Sequence, residues 1–63
     1  MTMTEVSARD RIVQSALDEI EKNGIVGLRV ADVASSAGIS VPLIYKYFRD
    51  RDGLLAVVLS ETL

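Results

Sequence analysis

Residues Val30 to Arg49 read VADVASSAGISVPLIYKYFR, and the fold turns on how this stretch divides. Val30, Val33, Ala34 and Ala37 recur three and four apart, the spacing that stacks side chains along one side of a helix. Gly38 follows, and a glycine just past a periodic segment closes a helix because it enters the left-handed region without a Cβ penalty. Ile39 is then expected to turn inward. Ser40 is a good N-cap for a further helix beginning at Val41, and Pro42 falls in its first turn, where a missing N–H costs nothing. Two short helices joined by a tight turn containing glycine form a helix-turn-helix, whose second helix enters the major groove of DNA. The motif spans about residues 30–49. A compact three-helix bundle of any function has similar spacings, so the side chains must be weighed as well.

At about 100° per residue, Val41, Ile44 and Phe48 fall on one side of the helix over 41–48, while Pro42, Lys46 and Arg49 fall on the other. Tyr45 and Tyr47 flank the boundary. Pro42 offers a flat apolar surface, Lys46 a cation, and the tyrosines hydroxyl donors on rigid rings, all groups that can touch bases or phosphates. Taken alone, Lys46, Arg49 and Arg51 are an ordinary solvated charge cluster and the tyrosines are rim residues. Their place on the second helix of the motif favours contact with DNA.

Outward from the motif, Ile12, Val13, Ala16, Leu17 and Ile20 form a helical stripe, and a first helix is expected over about Ala8 to Lys22. Ser7 supplies its N-cap, with Asp10 three residues on. Asn23-Gly24 ends it, and Gly27 lets the Ile25-Val26 turn fold back. The second helix starts without a capping hydroxyl: Arg29 stands there, so the leading amides need another partner, solvent or a phosphate. Past the motif, Leu54, Leu55, Val58, Leu59 and Leu63 make an apolar stripe that marks the start of a fourth helix, with Asp50 as cap and Asp52 in the first turn. Residues 1–7 have no periodicity and read as a flexible arm. The fold class is all-α: a homeodomain-like three-helix bundle, over residues 8–63, with the beginning of a fourth helix.

Composition narrows the function. A chain of 63 residues makes one small domain, with little room for an enclosed catalytic pocket. It has no cysteine and no histidine, which removes disulfide and thiolate chemistry, the commonest metal ligand and the commonest general base. Asp18, Glu19 and Glu21 lack metal-ligand spacing and read as surface. An enzyme is not expected, nor a cofactor or metal. No export signal or membrane-length apolar run is present, so the expected setting is cytoplasmic. Seven basic against nine acidic residues give a net charge of −2, against the usual expectation for a nucleic-acid binder. The distribution offsets the total: Lys46, Arg49 and Arg51 crowd into six positions, while Glu5, Asp10, Asp18, Glu19, Glu21 and Asp32 all precede residue 40.

The runs GIVGLRVADVASSAGIS (residues 24–40) and LIYKYFRDRDGLL (residues 43–55) resemble the amino-terminal DNA-binding domain of the TetR (tetracycline repressor) family of bacterial transcription regulators, over about Arg9 to Leu55. The most telling part is Ile44-Tyr45-Lys46-Tyr47-Phe48 followed by Arg51 and Leu54-Leu55, similar to the family's aromatic-ended recognition helix and the basic residue after it. Carried over by position, the resemblance implies base contacts or adjacent backbone contacts at Val41, Pro42, Tyr45 and Lys46. It implies phosphate contacts at Ser40, Leu43, Tyr47 and Arg51. Arg29 stands where a hydroxyl cap is usual and can substitute a charged phosphate contact. Arg51 stands where lysine is usual, and Gly53 where an acidic residue often lies.

The resemblance further implies a DNA-binding transcriptional regulator, a repressor, that recognises a palindromic double-stranded operator as a homodimer. Dimerisation and small-molecule effector binding belong, in such regulators, to a larger carboxy-terminal domain outside this chain. The chain is therefore expected to be the DNA-binding part of a longer protein, with helix 4 cut short. A rival reading from another class is a protein-interaction module that uses the apolar face of residues 54–63 for dimerisation.

Overall fold

The computed structural model describes residues 7–62. The expected arm over residues 1–7 lies outside the described residues except for Ser7, and so does Leu63. Among the described residues all regular structure is helical: α1 (Ala8–Asn23), α2 (Val30–Ala37), α3 (Val41–Tyr47) and α4 (Arg51–Thr62). Among them no helix is long and apolar enough to cross a membrane.

Local chemistry sets most boundaries. The Ser7 hydroxyl accepts a hydrogen bond from the Asp10 amide at 3.1 Å and so caps α1. The helix runs one residue past the expected Lys22 and closes where the Gly24 amide donates to the Ile20 carbonyl at 2.7 Å. The chain then doubles back so tightly that a Cβ on Gly27 would lie 2.7 Å from the Asn23 carbonyl oxygen, a contact that only glycine avoids.

Gly38 closes α2 in the left-handed conformation, with φ 75° and ψ 33°. Its amide donates to the Ser35 carbonyl at 3.3 Å, and the Ile39 amide reaches back to the Ala34 carbonyl at 3.0 Å. This is the paired-bond C-terminus of a Schellman motif, which turns the chain and starts α3 at a fixed angle to α2. Ser40 then caps α3 by accepting from the Leu43 amide at 3.3 Å. Phe48, expected as the last helical residue, instead adopts an extended conformation with its ring buried, so α3 ends at Tyr47. Asp50 accepts from the Gly53 amide at 2.8 Å and initiates α4.

The bundle is assembled on α1, which packs against α2 and α4, while α2 packs on α3. Ile12, Ala16, Leu28, Val33, Ile44, Leu54 and Val58 form the centre, each no more than 1 % exposed. Burying a branched aliphatic side chain is worth about 1.5–3 kcal/mol, so this cluster holds the four helices on one centre, with Val33 of α2 and Ile44 of α3 among its members. Leu54 and Val58 turn toward this core, Leu55 is half-buried, and Leu59 remains exposed.

Candidate nucleic-acid interface

The side chains of α3 sort by depth. Ile44 is 1 % exposed and Phe48 5 % exposed, and they hold the helix to the bundle. Pro42, Tyr45, Lys46 and Tyr47 are exposed, and Val41 and Leu43 are half-buried at the boundary. Four of the six α3 residues expected at DNA thus lie open on one short helix. The tilted Tyr47 and Phe48 rings pack 6.4 Å apart, centroid to centroid, which ties the exposed tyrosine to the buried anchor beside it.

Two of the expected phosphate contacts are also structural. The Ser40 oxygen accepts the Leu43 amide in the α3 cap, yet its hydroxyl proton stays available to donate, because a hydroxyl is both donor and acceptor. The Leu43 amide is occupied by that same bond, so the outward group of Leu43 is its side chain. Arg29 is exposed, begins α2 without a side-chain capping bond, and receives the Asp32 and Val33 amides only on its backbone carbonyl. Asp32, in the first turn, complements the positive end of the helix dipole there.

Arg51 stands differently. Its Nε donates to the Leu28 carbonyl and its Nη2 to the Ile25 carbonyl, both at 2.7 Å. Its Nη1 lies 3.7 Å from the Asp52 carboxylate. The guanidinium is therefore bonded to the α1–α2 turn, a commitment that sequence reading did not anticipate.

The other arginines complete a division of charge. The Arg11 Nη2 donates to the Ala37 carbonyl at 2.5 Å, satisfying an orphan acceptor at the end of α2. Arg9 hydrogen-bonds Glu61 near the end of α4 and lies 5.9 Å from the Phe48 ring centroid, within range of a cation–π contact. The hydrogen bond to Glu61, followed by the charge of that carboxylate, holds the Arg9 pKa above its ordinary value. Arg29, Lys46 and Arg49 are exposed, with no side-chain hydrogen bond or ion pair among the described residues. All three belong to the helix-turn-helix stretch or its edge, whereas Lys22, also exposed and without a side-chain bond among the described residues, lies in the last turn of α1. The net charge of −2 thus conceals a local surplus where contact with DNA is expected.

Leu28, Arg9 and Arg11 escaped the sequence reading. Leu28 follows a turn glycine and lies outside any helical stripe, so periodicity has nothing to register. The two arginines act on groups 26 and 52 residues away, which no local pattern encodes.

A family model described as bacterial regulatory proteins, tetR family, matches residues 12–58. The chain is 34 % identical over 55 residues to the HTH-type transcriptional regulator BetI of Paraburkholderia phytofirmans, an alignment covering 87 % of this chain and 28 % of that protein. It is 35 % identical over 57 residues to the probable HTH-type transcriptional regulator YttP of Bacillus subtilis, covering 90 % of this chain and 28 % of that one. The chain therefore spans under a third of the length of these relatives. No solved structure gives a significant match.

Proposed function

The chain belongs to the tetR family of bacterial regulatory proteins, a family of transcriptional regulators and not of enzymes, and on that premise we propose that it binds double-stranded DNA sequence-specifically through α3. The observation that carries this reading is the division of α3 into a buried anchor, Ile44 with Phe48 after it, and an exposed set, Pro42, Tyr45, Lys46 and Tyr47. In the proposed complex Val41, Pro42, Tyr45 and Lys46 meet base edges in the major groove, and Arg29, Ser40, Leu43, Tyr47 and the Nη1 of Arg51 meet phosphates.

The regulator acts in the cytoplasm as a repressor. It works as a homodimer on a palindromic operator, with two copies of α3 on half-sites about 34–36 Å apart. Pairing makes the second contact effectively intramolecular. A single copy of this chain binds a lone half-site weakly, near the non-specific range of about 10⁻⁴ to 10⁻⁶ M.

The test is selection from a randomised duplex library, followed by titration of the unaltered chain and Lys46→Ala on the enriched site and its single-base variants. Lys46→Ala is expected to lose about 1–3 kcal/mol on the preferred site and to relax the preference at one or two base pairs. Equal losses on the enriched site and on random DNA would remove Lys46 from base recognition. Failure to enrich any sequence would overturn the reading.

A further inference from the structure

The contacts of Arg51 make it more than a charge at the start of α4. We infer that Arg51 is a positioning residue for DNA binding: its two-pronged grip on the Ile25 and Leu28 carbonyls fixes the turn that delivers Arg29 to the phosphate backbone. The inference rests on the proposed DNA-binding role and assigns a second route by which α4 supports it.

The turn carries two long backbone hydrogen bonds of its own, Gly27 amide to Gly24 carbonyl and Leu28 amide to Ile25 carbonyl, both 3.2 Å, and its side chains add little. Val26 is 96 % exposed and Ile25 43 % exposed, so neither side chain gives the turn a firm seat. Leu28 is buried in the core at 1 % exposure and anchors the turn from one side only. The Arg51 bonds, both 2.7 Å, hold it from the other. Arg29 is the next residue along, exposed, and starts α2 with no capping bond from its own side chain. Its carbonyl is held by the Asp32 and Val33 amides, but its side chain has no hydrogen bond of its own, so the place from which the guanidinium is presented follows the turn.

The grip needs the guanidinium specifically. Nε and Nη2 lie on one edge of a rigid plane and can serve two acceptors at once, whereas lysine carries a point charge on a flexible stem. Arg51→Lys retains the positive charge and releases one carbonyl. A residue acting only as a phosphate cation tolerates that exchange; a residue acting through geometry does not.

The experiment is a double-mutant cycle on the 63-residue chain. The probe is a labelled duplex carrying the sequence enriched by the unaltered protein, read by fluorescence anisotropy at several salt concentrations. Circular dichroism at the same temperature corrects each variant for its folded fraction. Arg51→Lys is expected to bind about fivefold more weakly per folded molecule, the size of one lost hydrogen bond, with a shallower salt slope approaching that of Arg29→Ala, because the displaced Arg29 no longer neutralises its phosphate. Arg29→Ala is expected to weaken the unaltered protein clearly and the Arg51→Lys protein much less, since a misplaced Arg29 has little left to lose. Full binding by Arg51→Lys, or losses that simply multiply in the double variant, would overturn the inference and leave the proposed function standing. Absence of duplex binding by the unaltered chain would overturn both.

Discussion

The two helices of the motif are held by different means. α3 is secured by its neighbours in sequence: Ser40 caps its start and the buried Phe48 directly follows its end. α2 is closed locally by Gly38 but its start is secured from a distance by Arg51 of α4 on the turn before it, and its last carbonyl by Arg11 of α1. The helix proposed to read bases thus carries its own instructions, whereas its partner is placed largely by the assembled bundle. A change near α3 should act locally. A change at either distant arginine should register at α2.

What the helices share is the core between them, and the largest expected effect lies there. Ile44 is 1 % exposed and belongs to the same buried cluster as Val33 and Ala34 of α2. Ile44→Ala is expected to cost about 2–5 kcal/mol, enough to unfold a domain with so small a core. Thermal denaturation followed by circular dichroism checks it; a cooperative transition at the unaltered temperature would show that the α2–α3 packing does not hold the motif.

Next in size is the cap. Ser40→Ala removes the acceptor for the Leu43 amide and is expected to cost about 1 kcal/mol. Amide exchange should quicken through the first turn of α3 and stay unchanged at the start of α2. Equal quickening in both helices would break the contrast between them.

The smallest effect carries the opposite sign. Arg29→Ser places a capping hydroxyl where α2 has none and is expected to stabilise the domain by about 0.5–1 kcal/mol. DNA binding should weaken at the same time, with the salt slope reduced by about 0.9 for the lost phosphate contact. Denaturant titration and salt-dependent anisotropy on one preparation separate the two; a variant that gains stability and keeps its salt slope would remove Arg29 from the interface.

Legibility in the sequence follows the same line. Ser7, Gly38, Ser40 and Asp50 act on groups within a few residues, and their capping and turn roles could be read directly; the four helices fell where period and caps placed them. The outward face of α3 was readable because Ile44 and Lys46, two residues apart, are turned about 200° from each other by the helical geometry. Phe48 was read as helical because its apolar side fits the stripe, but burying its ring took the backbone into an extended conformation. Arg51 was read as a free cation because its carbonyl partners lie 23 and 26 residues away. Leu28 joins the core from a turn, where periodicity is silent.

In the proposed complex the exposed side of this motif meets the phosphate backbone of DNA while α3 reads bases. The most direct measurement is the affinity of the unaltered chain for its enriched duplex across a series of salt concentrations. Arg29 and Arg51 on phosphates and the Lys46 charge in the groove, each releasing one counterion equivalent, predict a log–log slope near −3, at about 0.9 per cation. A slope indistinguishable from zero would contradict the account.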